Sequence, residues 1–171
     1  ERKNLIRFFG ADIHLVSAAE GGFLGSIARA EALAAERGHA FLPRQFSNEA
    51  NVEAHEATTG PEIWWQLRFH NLKPAAFVAG VGTGGTISGV VEVIKPRKAS
   101  FQAIAVEPAD SPVINQTLAG EPLKPGPHKI QGTGAGFVPN NLHLKDAAGN
   151  PQIVECVKVT NDDAFAMARR L

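Results

Sequence analysis

The chain has 171 residues, of which 44% are hydrophobic and 20% are charged, and its 17 Lys and Arg balance 17 Asp and Glu. This apolar content excludes a mainly disordered chain, and the zero net charge gives no sign of a nucleic-acid or membrane-surface partner. The apolar runs are far shorter than the roughly 20 residues of a membrane-spanning helix.

Helical and strand patterns alternate along the chain. In chain order they predict a helix over 5–9, a strand over 13–16, a helix over 23–37, a strand over 40–42, two helical pieces within 52–67, a strand over 75–79, a helix over 86–95, a strand over 102–106, a helix over 111–120, a structured loop over 121–141, a strand over 153–159 and a helix after Thr160. Thr59 and Glu62 have the spacing of a capping box for the helix starting at Pro61. The alternation predicts an α/β fold, a three-layer sandwich with a mostly parallel sheet, whose ligands bind beyond the carboxyl ends of strands.

A glycine-rich turn follows the strand predicted over 75–79. It contains Gly82, Thr83, Gly84, Gly85 and Thr86. Glycines let a ligand approach the backbone, and successive N–H groups in front of a helix N-terminus form an anion nest, to which the threonines add hydroxyl donors. We therefore predict that these five residues bind a phosphate group; the alternative is a tight turn that binds nothing.

The same turn also fits a dinucleotide-binding pattern. Gly80, Gly82 and Gly85 have G-x-G-x-x-G spacing, and Glu107 ends the next strand about 20 residues further on, where a ribose-binding acid would stand. This spacing leaves a Rossmann-type nicotinamide or flavin oxidoreductase open.

Five further strings accompany the glycine turn. They are residues 45–48 with Asn51, 58–64, 106–112, 124–132 and 134–139. In this order and spacing they resemble the cysteine synthase (O-acetylserine sulfhydrylase) family of fold-type-II pyridoxal-phosphate enzymes. The similarity covers nearly the whole chain, and the string over 124–132 is its most specific part. Cystathionine β-synthases share the glycine turn but are less similar in the later strings.

The resemblance implies a reaction and a set of site residues. The reaction is a pyridoxal-phosphate-dependent β-replacement that makes L-cysteine from O-acetylserine and sulfide, in a cytoplasmic homodimer. The glycine turn would hold the cofactor phosphate, and Gln45 would contact the substrate carboxylate. Gln131 and Gly132 would lie close to the reacting amino acid, and Glu107 would be a strand-end residue with no ribose to bind.

A cationic cluster on the proline-rich loop belongs to the same resemblance. Lys124, His128 and Lys129 match family positions that contact the C-terminal tail of serine acetyltransferase. We interpret them as a partner-binding surface, with a solvated loop as the alternative.

Some family features have no match in this sequence. The family's Schiff-base lysine stands in a Ser-x-Lys-Asp-Arg context, and Lys145-Asp146, the nearest string here, lacks both the Ser and the Arg. The loop Thr-Ser-Gly-Asn-Thr-Gly and a C-terminal serine that bonds the pyridine nitrogen are not found either. We expect a central part of a longer enzyme, inactive alone, with residues 1–46 in the smaller mobile domain and 47–171 in the large cofactor-binding domain, truncated at its C-terminal end. A non-catalytic paralogue or fragment that binds only phosphate or a partner is the alternative.

The histidines and the single cysteine do not indicate a further catalytic site. The six histidines show no metal-binding pair spacing, so we expect no metal site. Cys156 cannot form an internal disulfide, as suits a reducing cytoplasm, and we expect it to be a buried structural thiol. His55 lies near the cofactor phosphate in the family, although a satisfied surface histidine fits its position equally well. Residues 145–151 are expected to form an exposed turn.

Overall fold

The chain divides into two compact units. The computed structural model describes residues 2–171, and its units are Glu1–Pro43 and Arg44–Leu171. The division lies close to the boundary expected between residues 46 and 47. That the first unit belongs to a smaller mobile domain stays a prediction.

The first unit contains two helices, α1 (Arg2–Phe8) and α2 (Gly22–Arg37). Both were predicted, and α2 ends at Gly38, whose φ of 70° suits a left-handed C-cap. The strands predicted over 13–16 and 40–42 are wrong, because neither segment forms a ladder. Their short apolar runs suit a strand, but a strand also needs a hydrogen-bonded neighbour, and the described residues supply none.

The second unit alternates helices with parallel strands. In chain order it contains α3 (Ala50–Ala54), a π-helical turn (His55–Thr59), α4 (Gly60–Phe69), β1 (Ala76–Gly80), α5 (Gly85–Ile94), a 3-10 turn (Lys95–Arg97), β2 (Gln102–Pro108), α6 (Val113–Ala119), β3 (Ile153–Val159) and α7 (Asn161–Arg170). Thr160 caps α7 as predicted, because its hydroxyl oxygen accepts a hydrogen bond from the N–H of Asp163. The exposed turn expected over 145–151 is confirmed, closed by a bridge between Lys145 and Pro151.

The three strands of the described residues form one parallel sheet in the order β1-β2-β3. This confirms the predicted α/β class. In the register, Ala76 pairs with Gln102 and Gly80 with Val106, so the turns after β1 and β2 leave the sheet at the same edge. That edge is where α/β proteins bind ligands.

Helix α5 lies at the centre of the hydrophobic core. Its interior residues are almost all buried, and they pack with strand residues and Phe101; the core includes Ile87, Val90, Val91, Val93, Ile94, Phe101, Ala103, Ala105, Val113, Ile114 and Ile153. A helix that is apolar on most of its surface needs partners on most sides. The glycine turn is therefore attached to a rigid, buried element.

Two local predictions need correction. Thr59 is not an N-cap: its backbone is helical, and its side chain makes no capping bond. The chain instead continues through a π turn, where Gly60 donates its N–H to the carbonyl of His55, five residues back. A widened turn relieves the clash that Pro61 would impose on a regular helix.

The second correction concerns β1, whose unbroken apolar run over 75–79 predicts a strand that is buried on both faces. Phe77 and Ala79 are half-buried against the core, but Val78 on the other face is 59% exposed. In the described residues only one face of β1 packs against the core, and β1 is an edge strand of the sheet.

Candidate functional site

The glycine turn is anchored at both of its ends. Val81 donates its N–H to the carbonyl of Val106 (3.0 Å) and accepts a bond from the N–H of Gly134 (3.0 Å). At the other end Gly84, with φ of 87°, is the N-cap of α5. This left-handed conformation directs the chain from β1 into the buried helix, and glycine adopts it without a steric penalty.

Two glycines of the turn have no room for a side chain. A Cβ on Gly85 would lie 2.1 Å from Oδ1 of Asn51, and one on Gly82 would lie 2.4 Å from the carbonyl oxygen of Gly132. Asn51 and Gly132 thus form the two walls of the turn. The sequence-predicted residue Gly132 is brought beside the predicted phosphate site.

The two threonines of the turn have different surroundings. Thr83 accepts a hydrogen bond from Nδ2 of Asn51 (3.0 Å), which leaves its own O–H as a donor. Thr86 is exposed, and its hydroxyl oxygen lies 3.0 Å from Nε2 of His55, whose Nδ1 lies 2.8 Å from the hydroxyl of Thr59. Both ring nitrogens of His55 are therefore engaged, and one of them touches the candidate site.

These features fit a phosphate monoester. The first N–H groups of α5 have no partner inside the helix, and the positive end of the helix dipole favours an anion in front of them. Two hydroxyls stand beside the same helix end, and residues 80–86 contain no lysine or arginine. The binding would therefore rest on backbone N–H groups and hydroxyls, as in other helix N-terminal anion sites.

Gln45 is attached to this site through its backbone. Its carbonyl oxygen accepts hydrogen bonds from Nδ2 of Asn51 (3.2 Å) and from Nδ2 of Asn141 (3.0 Å). The Gln45 side chain is exposed, as is Gln131 in the loop on the far side of the turn. Sequence reasoning missed the role of Asn141, whose partner lies far away in the chain.

The predicted partner-binding residues do not form three equivalent cations. Lys124 and Lys129 are exposed, but His128 is half-buried, and its Nε2 donates a hydrogen bond to the carbonyl of Gly134 (2.9 Å). The Lys129 backbone N–H binds Asn161 of α7 (2.7 Å). His128 therefore holds the loop that carries Gly134, and the two lysines are the side chains directed to solvent.

Glu107 has a structural role. It is 2% exposed, and its carboxylate accepts hydrogen bonds from the N–H groups of Ile114 (2.8 Å) and Asn115 (2.9 Å) and from Nδ2 of Asn115 (2.7 Å). A carboxylate that is buried and already bound to α6 in this way is not accessible to a ribose hydroxyl. The geometry thus opposes the dinucleotide interpretation of the glycine turn.

A second cleft, of about 770 Å³, lies elsewhere in this unit. Its lining includes Glu92, Lys95, His143 and Lys145. Beside it the pKa of Glu56 is raised above its ordinary value, first by a hydrogen bond with Glu92 and then by desolvation. Within residues 2–171 no group of three or more His, Cys, Asp and Glu side chains is arranged to hold a metal ion.

No helix in the described part of the chain is long and apolar enough to cross a membrane.

Comparison with known proteins places the chain in a family. The pyridoxal-phosphate dependent enzyme family matches residues 1–171. Cysteine synthase A of Salmonella typhi is 49% identical over 174 aligned residues, and a cysteine synthase of Staphylococcus aureus is 45% identical over 172. Both alignments cover 100% of this chain, which spans about half the length of these relatives (51% and 50%).

Solved structures agree with this comparison. A hydrogen sulfide-producing enzyme of Fusobacterium nucleatum has a TM-score of 0.85 at 40% identity, covering 98% of this chain and 47% of its own. Cysteine synthase of Entamoeba histolytica has a TM-score of 0.76 at 34% identity, covering 98% and 45%. The chain belongs to the pyridoxal-phosphate dependent enzymes. This finding and the buried state of Glu107 give no support to a nicotinamide oxidoreductase.

Proposed function

We propose that this chain supplies the cofactor-phosphate site and part of the substrate site of an enzyme that makes L-cysteine from O-acetylserine and sulfide. The cofactor, pyridoxal phosphate, supplies when bound the electron sink that lets an amino acid lose and regain a β-substituent. The observation that carries the proposal is the glycine turn, closed between Asn51 and Gly132 and backed by the N-terminus of α5. The similarity to curated cysteine synthases supports the choice of reaction.

The residues of this chain have separable tasks in that reaction. The backbone N–H groups of the turn, together with the Thr83 and Thr86 hydroxyls, bind the phosphate. His55 orients the Thr86 hydroxyl through its Nε2. Gln45 binds the substrate carboxylate, and Gln131 and Gly132 border the space for the reacting amino acid.

Thr83→Val in the protein of full natural length tests the phosphate site. The substitution removes a hydroxyl and keeps the shape, so the dissociation constant for pyridoxal phosphate should rise about tenfold, the effect of one hydrogen bond. Thr58→Val is the matched control, since the Thr58 hydroxyl binds the carbonyl of Ala54, outside the turn. Equal affinities in the two variants would contradict the assignment of the turn.

The reaction itself is tested by a direct assay of the wild-type protein. Loaded with pyridoxal phosphate, it should release acetate from O-acetylserine and form cysteine when sulfide is added. Homocysteine replaces sulfide in a parallel assay, because one structural relative is an O-acetylserine dependent cystathionine β-synthase of Helicobacter pylori. Turnover with homocysteine but not with sulfide would contradict cysteine synthesis and indicate cystathionine synthesis instead. No turnover with either would overturn the proposal.

We further propose that Lys124 and Lys129 help bind the acidic C-terminal tail of serine acetyltransferase. Two exposed cations on a loop containing several prolines can meet a carboxylate with little ordering cost. The double substitution Lys124→Ala and Lys129→Ala should weaken binding of the peptide and reduce its salt dependence, whereas Lys73→Ala should not. His128 is kept in this test because it holds Gly134; unchanged peptide affinity would leave the loop with a structural role only.

We also propose, from the family resemblance, that the enzyme acts as a homodimer in the cytoplasm. Light scattering at several protein concentrations measures the mass of the assembly. A monomer at all concentrations, or secretion of the protein, would contradict these two points.

A further inference from the structure

The segment that carries Gln45 has an unusual backbone. Arg44, immediately before it, has φ of 47°, in the left-handed region that residues other than glycine seldom adopt. Such a conformation persists only where the surroundings hold it, and it is often found beside functional residues. Neighbouring groups must therefore hold this segment in place.

Two asparagine side chains hold it. We use the name asparagine clamp for Asn51 and Asn141, whose Nδ2 groups both donate to the carbonyl oxygen of Gln45, at 3.2 and 3.0 Å. Asn141 adds a backbone bond from its N–H to the carbonyl of Phe46 (3.3 Å). Three donors thus fix two successive carbonyl groups directly after the strained residue.

Both members of the clamp are also attached to the glycine turn and α5. Asn51 donates to the hydroxyl of Thr83. The carbonyl of Asn141 accepts a hydrogen bond from the hydroxyl of Ser88 (2.7 Å), a residue of α5 that is 1% exposed. The clamp therefore fixes the distance between the predicted phosphate site and the predicted contact for the substrate carboxylate.

The side chain of Asn141 has little else to do. It is completely buried, and among the described residues its Oδ1 has no hydrogen-bond partner. A buried amide oxygen without a partner costs stability, so filling space is a poor explanation for an asparagine here. Within residues 2–171 its one side-chain bond is the donation to the Gln45 carbonyl, which also determines the orientation of the amide.

We propose that Asn141 is a positioning residue, which holds the Gln45 segment at a fixed place relative to the glycine turn and so sets the affinity for the amino-acid substrate. This inference rests on the proposed function, in which Gln45 contacts the substrate carboxylate. A substitution of Asn51 would disturb both the Gln45 segment and the glycine turn, because Asn51 also donates to Thr83. Asn141 is the cleaner member to test, since its side chain makes no bond to the turn.

The first experiment uses Asn141→Ala in the pyridoxal-phosphate-loaded protein of full natural length, with the exposed neighbour variant Asn140→Ala as its control. The backbone bonds of residue 141 survive the substitution. KM for O-acetylserine should rise about tenfold, as expected for the loss of one hydrogen bond, while kcat changes by less than about threefold. The dissociation constant for pyridoxal phosphate should stay unchanged, which a general structural defect would not allow.

The second experiment reads the clamp without cofactor or substrate. Trypsin cleaves after arginine, so the rate of cleavage between Arg44 and Gln45 reports how often this segment opens. In the cofactor-free protein, Asn141→Ala should be cleaved there several-fold faster than Asn140→Ala. Asn141→Leu keeps a similar branched shape and removes the amide without adding a charge, so it should reproduce both defects and serves if the alanine variant does not fold.

The outcomes separate this inference from the proposed function. A wild-type protein without β-replacement activity contradicts the proposed function, while the cleavage rates still test the clamp. An active wild type with unchanged KM in Asn141→Ala or Asn141→Leu overturns the positioning role. A parallel loss of cofactor affinity, melting temperature and substrate affinity also overturns it, because it shows a structural role alone.

Discussion

At the scale of single residues, the site depends on contacts that tolerate almost no added volume. The amide of Asn51 lies against Gly85, binds the Thr83 hydroxyl and holds the Gln45 carbonyl. One side chain therefore links the proposed phosphate site to the proposed substrate site. A change that displaces Asn51 should affect both sites together.

Gly85→Ala tests this link. The new methyl group would lie 2.1 Å from Oδ1 of Asn51, so the asparagine must move. We expect weaker binding of pyridoxal phosphate and a loss of about 1–3 kcal/mol in the free energy of unfolding, as for other overpacked positions. Fluorescence titration and urea unfolding measure the two effects.

Gly149→Ala is the control for that substitution. Gly149 has φ of 85°, and a Cβ added to it would have no neighbouring atom within 4 Å, so alanine there meets only backbone strain in an exposed turn. It should cost stability without changing cofactor affinity. Equal cofactor affinity in both variants would contradict the role of Asn51.

Cys156 gives a second prediction at this scale. Burial, followed by the negative charge of Glu107, raises the pKa of its thiol far above the ordinary value. The thiol should therefore react slowly with thiol reagents at pH 8 in the native protein and fast after unfolding in urea. Fast reaction in the native state would show that the residue is accessible.

The same shift has a consequence for stability. The folded state disfavours the thiolate of Cys156. The neutral thiol therefore contributes fully to stability below the ordinary thiol pKa of about 8.5, and this contribution is lost progressively as the pH rises above that value. In urea unfolding measured above about pH 8.5, the free energy of unfolding should fall with rising pH, and it should fall less in Cys156→Ala than in the wild type.

At the scale of elements, polar groups at helix ends connect α6 and α7 to the sheet. Glu107, at the end of β2, accepts the first N–H groups of α6, and Thr160, after β3, caps α7. Asn115 of α6 also donates to the carbonyl of Cys156 in β3 (2.9 Å). A buried carboxylate thus does for α6 what a capping side chain does for α7, but from the preceding strand, seven and eight residues before the N–H groups that it binds.

Glu107→Gln should loosen α6. The substitution removes the charge and turns one acceptor into a donor facing N–H groups, so we expect a loss of about 2 kcal/mol in the free energy of unfolding. Glu155→Gln, on an exposed position of β3, should change it little. If Glu107→Gln is as stable as the wild type, the carboxylate does not hold the helix.

At the scale of the whole molecule, the second unit combines a three-stranded parallel sheet with a buried helix that presents its N-terminus at the carboxyl edge. The proposed phosphate site, the Gln45 segment and the loop of Gly132 and Gly134 all belong to this unit. Their mutual contacts run through backbone groups and the side-chain amides of Asn51 and Asn141. This arrangement should keep its geometry whether or not the cofactor is bound.

The protein of full natural length should be yellow when purified with pyridoxal phosphate, because this cofactor is expected to bind at the glycine turn. The visible absorbance band should shift when O-acetylserine is added, because the substrate changes the bonding of the cofactor. Absorption spectra before and after addition measure both effects. A colourless protein that binds a nicotinamide dinucleotide would contradict the assignment of the family cofactor to this turn.

The sequence by itself determined the elements whose signals are local. The apolar and alanine-rich patterns of α2 and α5, the strands β2 and β3, and the cap at Thr160 depend on neighbours within a few residues, so they were predicted close to their observed places. The glycine turn was equally visible, since four glycines in seven residues exceed what a simple turn needs. Sequence patterns report interactions of short range, and these features need no others.

Tertiary structure decided the rest. The expected strands over 13–16 and 40–42 lack a pairing neighbour in the described residues, and the cap expected at Thr59 gave way to a π turn beside Pro61. Glu107 could be a ribose ligand or a helix anchor until the fold placed α6 against it. Asn141 reaches Gln45 across 96 residues of sequence, and Asn51 reaches Thr83 across 32. No short-range pattern records such pairs, because only the packing of β1, α5 and their loops brings the partners together.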